Sequence, residues 1–149
     1  MDFKFDEALV RRMFEGSEGT ALAIGRRTVT GHTGERHSGI TNSGLYDRNN
    51  DVLATAFVSF KQAIGIAVKV LNRIPPQQLE AVYYAQSGSN AAKRSFTIDI
   101  GEKQEVRYGR NRGTLLCSHF TIVLAKNPTI PGGLMVITFY PEGRFMEEK

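Results

Sequence analysis

The period of the hydrophobic pattern changes once along the chain, near residue 93. Before this point apolar residues recur at helical spacing in three segments, and after it they alternate with polar residues, as in strands with one buried face. This order predicts an α+β fold in which N-terminal helices pack on a C-terminal antiparallel β-sheet. The 149 residues match the usual size of one domain, so we expect a single domain over 1–149.

The first predicted helix runs from Phe5 to Glu15. Asp6 is placed to cap its N-terminus, and Gly16 is a suitable stop signal. Residues 16–51 are rich in Gly, Thr, Ser, Asn and Asp and contain only isolated aliphatic residues. This composition predicts loops with short helical turns, where functional residues are often placed.

Two further helices are predicted between residues 59 and 88. The stretch SFKQ has the form of a capping box, with Ser59 as the N-cap and Gln62 three positions later. That helix should end at Pro75 and Pro76. Because proline at the first helical position loses no intrahelical bond, the same prolines can begin the third helix, which should continue to residues 87–88.

The alternating region predicts four strands, at residues 95–100, 105–109, 119–125 and 134–140. The stretches between them resemble turns, and an antiparallel meander is therefore the simplest topology. In the last strand we expect Met135, Ile137 and Phe139 to face the helices. Thr138 and Tyr140 would then lie together on the opposite face, where they could also be ordinary residues of a half-exposed sheet.

Charge, cysteine content and the lengths of apolar segments indicate the class of partner and the source of stability, and they exclude a membrane span. Nineteen Lys and Arg residues exceed the 15 Asp and Glu residues, and the net charge of +4 mildly favours a polyanionic partner such as nucleic acid. The lone Cys117 cannot form an internal disulfide, so stability must come from packing. No segment approaches eighteen apolar residues, and the first residues lack an apolar signal core, so we expect neither a membrane span nor a signal peptide.

The three histidines do not suggest a metal site. His32 and His37 are five residues apart, which does not place two imidazoles on one helical face, and no carboxylate follows in a zinc-binding pattern. We therefore expect no metal and no cofactor. His119 lies in a predicted strand, where a cross-strand hydrogen bond is the simplest role for its ring.

Several segments together resemble the bacterial RNase A-like toxin domain, which occurs at the C-termini of contact-dependent growth inhibition proteins and related polymorphic toxins. The resemblance covers about residues 31–141, and its segments are GHTGERHSGIT, Leu45, Arg48, LATAF, KQAIGIAVKVL and TIVLAKNPTIPGGLMVITFYP. The most specific parts are the GH(x4)H opening, an arginine eleven residues after the second histidine, and the terminal TxYP. The chain departs from the family at Thr55–Ser59, at the junction between a loop and a helix and apart from the implied active residues.

The resemblance implies an RNase A-like fold without disulfides and a metal-independent endoribonuclease. It assigns catalysis to His37, Arg48, Thr138 and Tyr140. When the 2′-hydroxyl of the RNA attacks the adjacent phosphate, cleavage needs a base, an acid and groups that stabilise the phosphorane. His37 would transfer a proton, Arg48 would bind two phosphate oxygens, Thr138 would donate a hydrogen bond to phosphate, and Tyr140 would orient the nucleotide or transfer the second proton. Whether His37 is the base or the acid stays open.

The resemblance also assigns supporting or substrate-binding roles and partners. The supporting residues are His32, Arg36 and His119. RNA is the implied substrate, with tRNA among the candidates, and a cognate immunity protein is the implied partner. The domain would be secreted or presented at the cell surface as part of a larger exported protein and would act in the cytoplasm of a neighbouring bacterium.

Two other functions fit the same sequence. A non-enzymatic RNA-binding module could stack bases on exposed tyrosines, and the candidates are Tyr83, Tyr84, Tyr108 and Tyr140. A metal-dependent nuclease could use Glu35, Asp47 or Asp51 with a divalent ion. Binding without cleavage would identify the first, and loss of activity in EDTA the second.

Overall fold

The computed structural model describes residues 3–31, 55–108 and 113–149, which form three α-helices and two antiparallel sheets. The helices are α1 (Glu7–Ser17), α2 (Phe60–Arg73) and α3 (Pro76–Tyr83). The strands are β1 (Ala21–Ile24), β2 (Arg27–Thr30), β3 (Thr55–Ala56), β4 (Lys93–Tyr108), β5 (Gly113–Lys126) and β6 (Leu134–Pro141). The α+β class is thus confirmed. No helix within the described ranges is both long and apolar enough to cross a membrane.

Helix α1 begins where its cap predicts and ends slightly later. The Asp6 carboxylate accepts a 2.7 Å hydrogen bond from the Leu9 amide. The predicted stop, Gly16, lies inside the last turn, because the helix continues to Ser17 and the Glu18 amide still bonds to Phe14. The chain turns only at Gly19, whose φ of +74° is in the region that favours glycine.

The capping box of α2 is present in a modified form. Ser59 Oγ accepts from the Gln62 amide at 3.0 Å, while Gln62 Oε1 accepts from the amide of Val58, at 2.8 Å, instead of that of Ser59. Helix α2 ends before Pro75, as predicted. Helix α3 is shorter than predicted, because its last turn tightens and Ala85 bonds to Val82, three residues back.

A β-hairpin occupies part of the region predicted as loops and helical turns. Strands β1 and β2 pair from Ala21 opposite Thr30 to Ile24 opposite Arg27, so only two residues connect them. Gly25, the first of these, has a φ of +59°. A two-residue connection containing glycine between short alternating segments is a hairpin signal, and the loop prediction was wrong for residues 21–30.

The larger sheet has the strand order β3-β4-β5-β6, and all its neighbours are antiparallel. The meander prediction is confirmed for β4, β5 and β6. However, the first two predicted strands are one long strand, β4, and both parts of it pair with β5. The predicted turn at residues 101–104 is instead an irregularity, where the register shifts between Asp99 and Gln104.

A second irregularity decides which side chains of β6 face the helices. Thr138 pairs with Val123, but the next ladder pair joins Val136 to Leu124, so Ile137 is an extra residue. Phe139 faces the helices as predicted, and Thr138 lies on the other face. Met135 pairs with Ala125 and therefore lies on the face opposite Phe139. Its predicted orientation was wrong because the bulge inverts the alternation.

An aromatic cluster joins α1 to the sheet. Phe57 stacks against Phe139, with ring centroids 4.8 Å apart, and against Phe120 at 5.9 Å. Phe14 of α1 meets Phe139 edge-on at 5.8 Å. All four rings are at most 2% exposed. Their packing fixes the helix side of the sheet and leaves the other side to polar residues.

Removing the Phe57 ring should cost much of the stability. We expect Phe57→Ala to lower the free energy of unfolding by about 3–5 kcal/mol. The substitution leaves a cavity beside the Phe120 and Phe139 rings, which cannot shift to fill it. Urea denaturation followed by circular dichroism measures the change. Tyr84→Ala, on a side chain that is 66% exposed, is the control and should change stability by less than about 1 kcal/mol. Similar losses in both variants would contradict the central place of Phe57 in the core.

Candidate functional site

The face of the larger sheet that lies away from the helices carries mainly polar side chains, and we call it the polar face. The register places its residues in rows across β4, β5 and β6, and three rows of mainly polar residues follow the row that contains the buried Ala125 and Met135. The Glu142 amide donates to the His119 carbonyl at 2.9 Å and extends the last row beyond β6. The rows are Ser95, Val123 and Thr138; Thr97, Thr121 and Tyr140; and Asp99, His119 and Glu142.

The middle row is a chain of hydrogen bonds. Thr121 Oγ1 donates to Glu142 Oε2 at 2.9 Å, and the hydroxyls of Thr97 and Thr121 are 2.8 Å apart. Because a hydroxyl has one proton and Thr121 donates its proton to the carboxylate, Thr97 is the donor in the second bond. These two hydrogen bonds run from β4 across β5 to Glu142 and fix the position of one of its carboxylate oxygens.

Thr138 contributes a hydroxyl with unused hydrogen-bonding capacity. Its Oγ1 is buried, and it has no hydrogen-bond partner within the described part of the chain. A buried hydroxyl without a partner costs about 1–3 kcal/mol relative to a satisfied one. A ligand oxygen that accepted from Thr138 would therefore recover free energy on binding.

Tyr140 remains a hydrogen-bond donor at neutral pH. Burial raises the pKa of its phenol, the negative charge of Glu142 raises it further, and the Thr121 side chain and Arg144 act in the opposite direction. Tyr140 follows Thr138 by two residues on one strand, so the two side chains point the same way about 7 Å apart. Two neutral hydroxyls on one surface can together hold phosphate or carbonyl oxygens.

Glu142 places a carboxylate at the edge of this pair. Its side chain is 15% exposed, and Oε1 accepts from Arg144 Nε at 3.2 Å. Arg144 itself is 70% exposed. The carboxylate is therefore held by two donors, and a small part of the Glu142 side chain reaches solvent.

His119, in the last row, contacts Asp99, Ser118 and Phe145 through its ring. Its Nε2 lies 3.8 Å from Asp99 on the neighbouring strand, and its Nδ1 is 3.1 Å from the Ser118 hydroxyl. The ring stacks on Phe145, with centroids 3.9 Å apart and an interplanar angle of 15°. The predicted cross-strand partner is thus Asp99, at a distance typical of an ion pair and too long for a hydrogen bond.

The structure brings together two of the four residues that the sequence assigns to catalysis. Thr138 and Tyr140 share the polar face, as the alternation in β6 predicts. His119, a predicted supporting residue, lies on the same face beyond Thr121. The remaining predicted residues lie outside the described part of the chain, and they are His32, Arg36, His37 and Arg48.

The residues proposed for a metal site also fall outside the described part. These are Glu35, Asp47 and Asp51. Across residues 3–31, 55–108 and 113–149, no three His, Cys, Asp or Glu side chains are grouped so that they could hold a metal ion. The hydroxyls of the polar face are therefore the candidate ligand groups that the described residues provide.

Two cavities are lined entirely by described residues. One of about 210 Å³ is adjacent to the His119 and Phe145 rings and reaches Lys103 and Glu147. The other, of about 390 Å³, lies between α2 and β4 and is lined in part by Lys61, Lys69 and Gln104. Neither is lined by Thr138 or Tyr140. These two cavities are therefore not part of the candidate site.

Sequence reasoning missed three residues of the polar face: Thr97, Thr121 and Glu142. The alternation within each strand placed the two threonines opposite the apolar side chains, but it could not tell which residues of different strands become neighbours. Glu142 carried a usable signal, since it follows Tyr140 by two residues. Pro141 hid it, because proline marked the end of the predicted strand.

The raised pKa of Tyr140 predicts a change in stability at high pH. The folded state holds this proton more tightly than the unfolded chain, so the contribution is present below the ordinary tyrosine pKa of about 10 and is lost as pH rises through the higher folded pKa. Tyr140→Phe should make the fall in unfolding free energy above about pH 10 less steep. Urea unfolding across this pH range measures it, and equal slopes in both proteins would contradict the prediction.

Comparison with solved structures gives the fold a counterpart. The chain is similar to one in the crystal structure of the CdiA-CT/CdiI complex from Y. kristensenii 33638, with a TM-score of 0.55 and 21% sequence identity. The similarity covers 74% of this chain and 98% of that chain. No protein-family model matches the sequence, and a comparison with curated proteins finds no match. At this identity the similarity shows that the two chains share a fold.

Proposed function

We propose that the protein is a metal-independent endoribonuclease toxin that cleaves RNA by attack of its 2′-hydroxyl and leaves 2′,3′-cyclic phosphate ends. The observation that most supports this proposal is the pair of hydroxyls on the polar face. Thr138 has a buried hydroxyl with no partner among the described residues, and Tyr140, two residues later, is a protonated donor. The fold shared with a chain of the CdiA-CT/CdiI complex agrees with the family that the sequence resembles.

The proposed reaction needs no group beyond amino-acid side chains. A base removes the proton of the 2′-hydroxyl, the 2′-oxygen forms a bond to phosphorus, the bond from phosphorus to the 5′-oxygen breaks, and an acid protonates that oxygen. Thr138 and Tyr140 would donate hydrogen bonds to the phosphate as charge accumulates on its oxygens. His37 would transfer one of the protons, and Arg48 would bind two phosphate oxygens.

The raised pKa of Tyr140 argues against one role, that of the general base. A phenol whose pKa lies above its usual value is a poor base near pH 7, because it is almost fully protonated there. It can donate a hydrogen bond throughout the reaction, or release its proton to the 5′-oxygen. We therefore propose Tyr140 as the donor or acid and His37 as the base.

The proposed partners follow from the same family. A chain that destroys RNA endangers the cell that makes it, so we propose a cognate immunity protein that covers the polar face. Acidic side chains on that protein would complement the chain's net charge of +4. The similar chain belongs to a two-component complex, CdiA-CT/CdiI, which is consistent with such a pair. We also propose delivery into a neighbouring bacterium as part of a larger exported protein.

The direct test is incubation of the purified protein with total bacterial RNA in EDTA. Wild type should produce fragments with 2′,3′-cyclic phosphate ends, and His37→Ala should lower the rate at least about a hundredfold. Tyr140→Phe and Thr138→Val should each lower it about ten- to a hundredfold, because each removes one donor to the phosphate. Tyr84→Phe removes a hydroxyl from an exposed ring on the helix side and is the matched control.

The outcomes separate the three candidate functions. Intact RNA that nevertheless binds the protein would favour the binding module, and cleavage that requires a divalent ion would favour the metal-dependent nuclease. Undiminished cleavage by His37→Ala would show that the proton-transfer role belongs to another residue. Normal thermal unfolding of each variant ensures that a lost rate reflects chemistry.

A further inference from the structure

We propose that Glu142 is the recognition residue of a nucleobase subsite on the polar face and that it selects guanine. The subsite rests on the proposed ribonuclease function, because the base would belong to an RNA whose phosphate lies at Thr138 and Tyr140. Three features of Glu142 support it: its position relative to Tyr140, the hydrogen-bonding capacity of its two oxygens, and the aromatic side chains next to it.

The position of Glu142 suits a base attached to the reacting nucleotide. It follows Tyr140 by two residues, and its backbone pairs with His119, so it lies one row further along the polar face. One row corresponds to about 7 Å along a strand. A ribose can span that separation between its phosphate and its base.

A carboxylate at this position has no use for the phosphate itself, since like charges repel. The Glu142 carboxylate could instead accept hydrogen bonds from N–H groups of a ligand. The Glu142 side chain is 15% exposed, so a small part of it can be reached from solvent. Arg144 Nε binds Oε1 at 3.2 Å and offsets part of the negative charge next to an anionic substrate.

The hydrogen-bonding capacity of the carboxylate matches two neighbouring donors. An ionised carboxylate offers about four lone-pair positions, two on each oxygen. Thr121 occupies one position on Oε2, and Arg144 occupies one on Oε1. With respect to the described residues, each oxygen therefore retains one position, and a planar ligand edge with two parallel N–H groups would fill both.

Guanine is the RNA base whose Watson–Crick edge offers such a pair, the ring N1–H and the exocyclic amino group. Adenine and cytosine present an amino group beside an acceptor nitrogen, which a carboxylate would repel, and uracil presents a single N–H between two carbonyl groups. Proteins read unstacked RNA bases through these edges. The two-oxygen acceptor at Glu142 therefore discriminates for guanine against the other three bases.

Aromatic groups border the same position. Phe145 is 44% exposed, and one side of its ring is fixed by the stack on His119. Arg144 lies over the Phe145 ring, with 5.5 Å between the guanidinium carbon and the ring centroid. Exposed aromatic and guanidinium planes are the usual surfaces on which RNA bases stack. They give the subsite an apolar wall next to its acceptor edge.

The first experiment measures binding and does not depend on cleavage. The wild-type chain is titrated with the 3′-monophosphates of guanosine, adenosine, cytidine and uridine, and binding is followed by calorimetry. Guanosine 3′-monophosphate should bind about tenfold more tightly than the others. Glu142→Gln keeps an acceptor for Thr121 but replaces one acceptor oxygen by an amino group, so the preference should disappear while the other three affinities stay within about twofold.

Glu148→Gln is the matched control, because it removes the same charge from an exposed position in the same C-terminal segment. It should leave all four affinities unchanged. Equal binding of the four nucleotides by wild type would overturn the subsite without any variant. A Glu142→Gln protein that loses affinity for all four alike would also overturn it, since Glu142 would then only maintain the polar face.

A second experiment separates this inference from the proposed function. Wild type is incubated with an RNA of random sequence, and the cut sites are sequenced. Cleavage without a preference for guanine on either side of the broken bond would retain the ribonuclease and overturn the subsite. Intact RNA together with selective binding of guanosine 3′-monophosphate would support the subsite and contradict the proposed nuclease.

Discussion

The burial of Phe139 decides which way the last strand faces. Its ring packs against Phe57 and Phe14 and has no exposed surface. Because side chains alternate along a strand, Thr138 and Tyr140 must then lie on the opposite side. The candidate site is thus oriented by a contact that Phe139, the residue between them, makes in the core on the other side of the sheet. Its polar residues can vary without disturbing that orientation, whereas a change in the aromatic cluster would affect both.

The extra residue in β6 changes which side chains face the core and which face the polar side. Val136 and Phe139 are three residues apart, yet both face the helices because Ile137 is accommodated in a bulge. Regular alternation without this bulge would place Val136 and Phe139 on opposite faces of the sheet. The bulge therefore allows a nearly all-apolar strand to bury both of its ends and still present two hydroxyls on one side.

Local signals in the sequence accounted for the helices and for the three long strands of the larger sheet, although they divided β4 into two. Asp6, Ser59 and Pro76 act on the residues next to them, so their effects could be read from the sequence. The irregularity after Asp99 and the bulge at Ile137 depend on how distant strands pack, and no local pattern specifies them. The same distinction holds for the site. Two hydroxyls on one strand follow from alternation, whereas the contact of Glu142 with Thr121 requires the register of two strands.

Cys117 has a consequence for where the chain can fold. It is 1% exposed, its thiol donates toward the His119 carbonyl at 3.0 Å, and burial raises its pKa. Such a thiol is a weak nucleophile and is shielded from exchange with other thiols. Every tertiary contact in the described core is noncovalent, so refolding requires neither an oxidant nor a disulfide isomerase. The fold is therefore indifferent to redox potential and can form equally well in a reducing or an oxidising compartment.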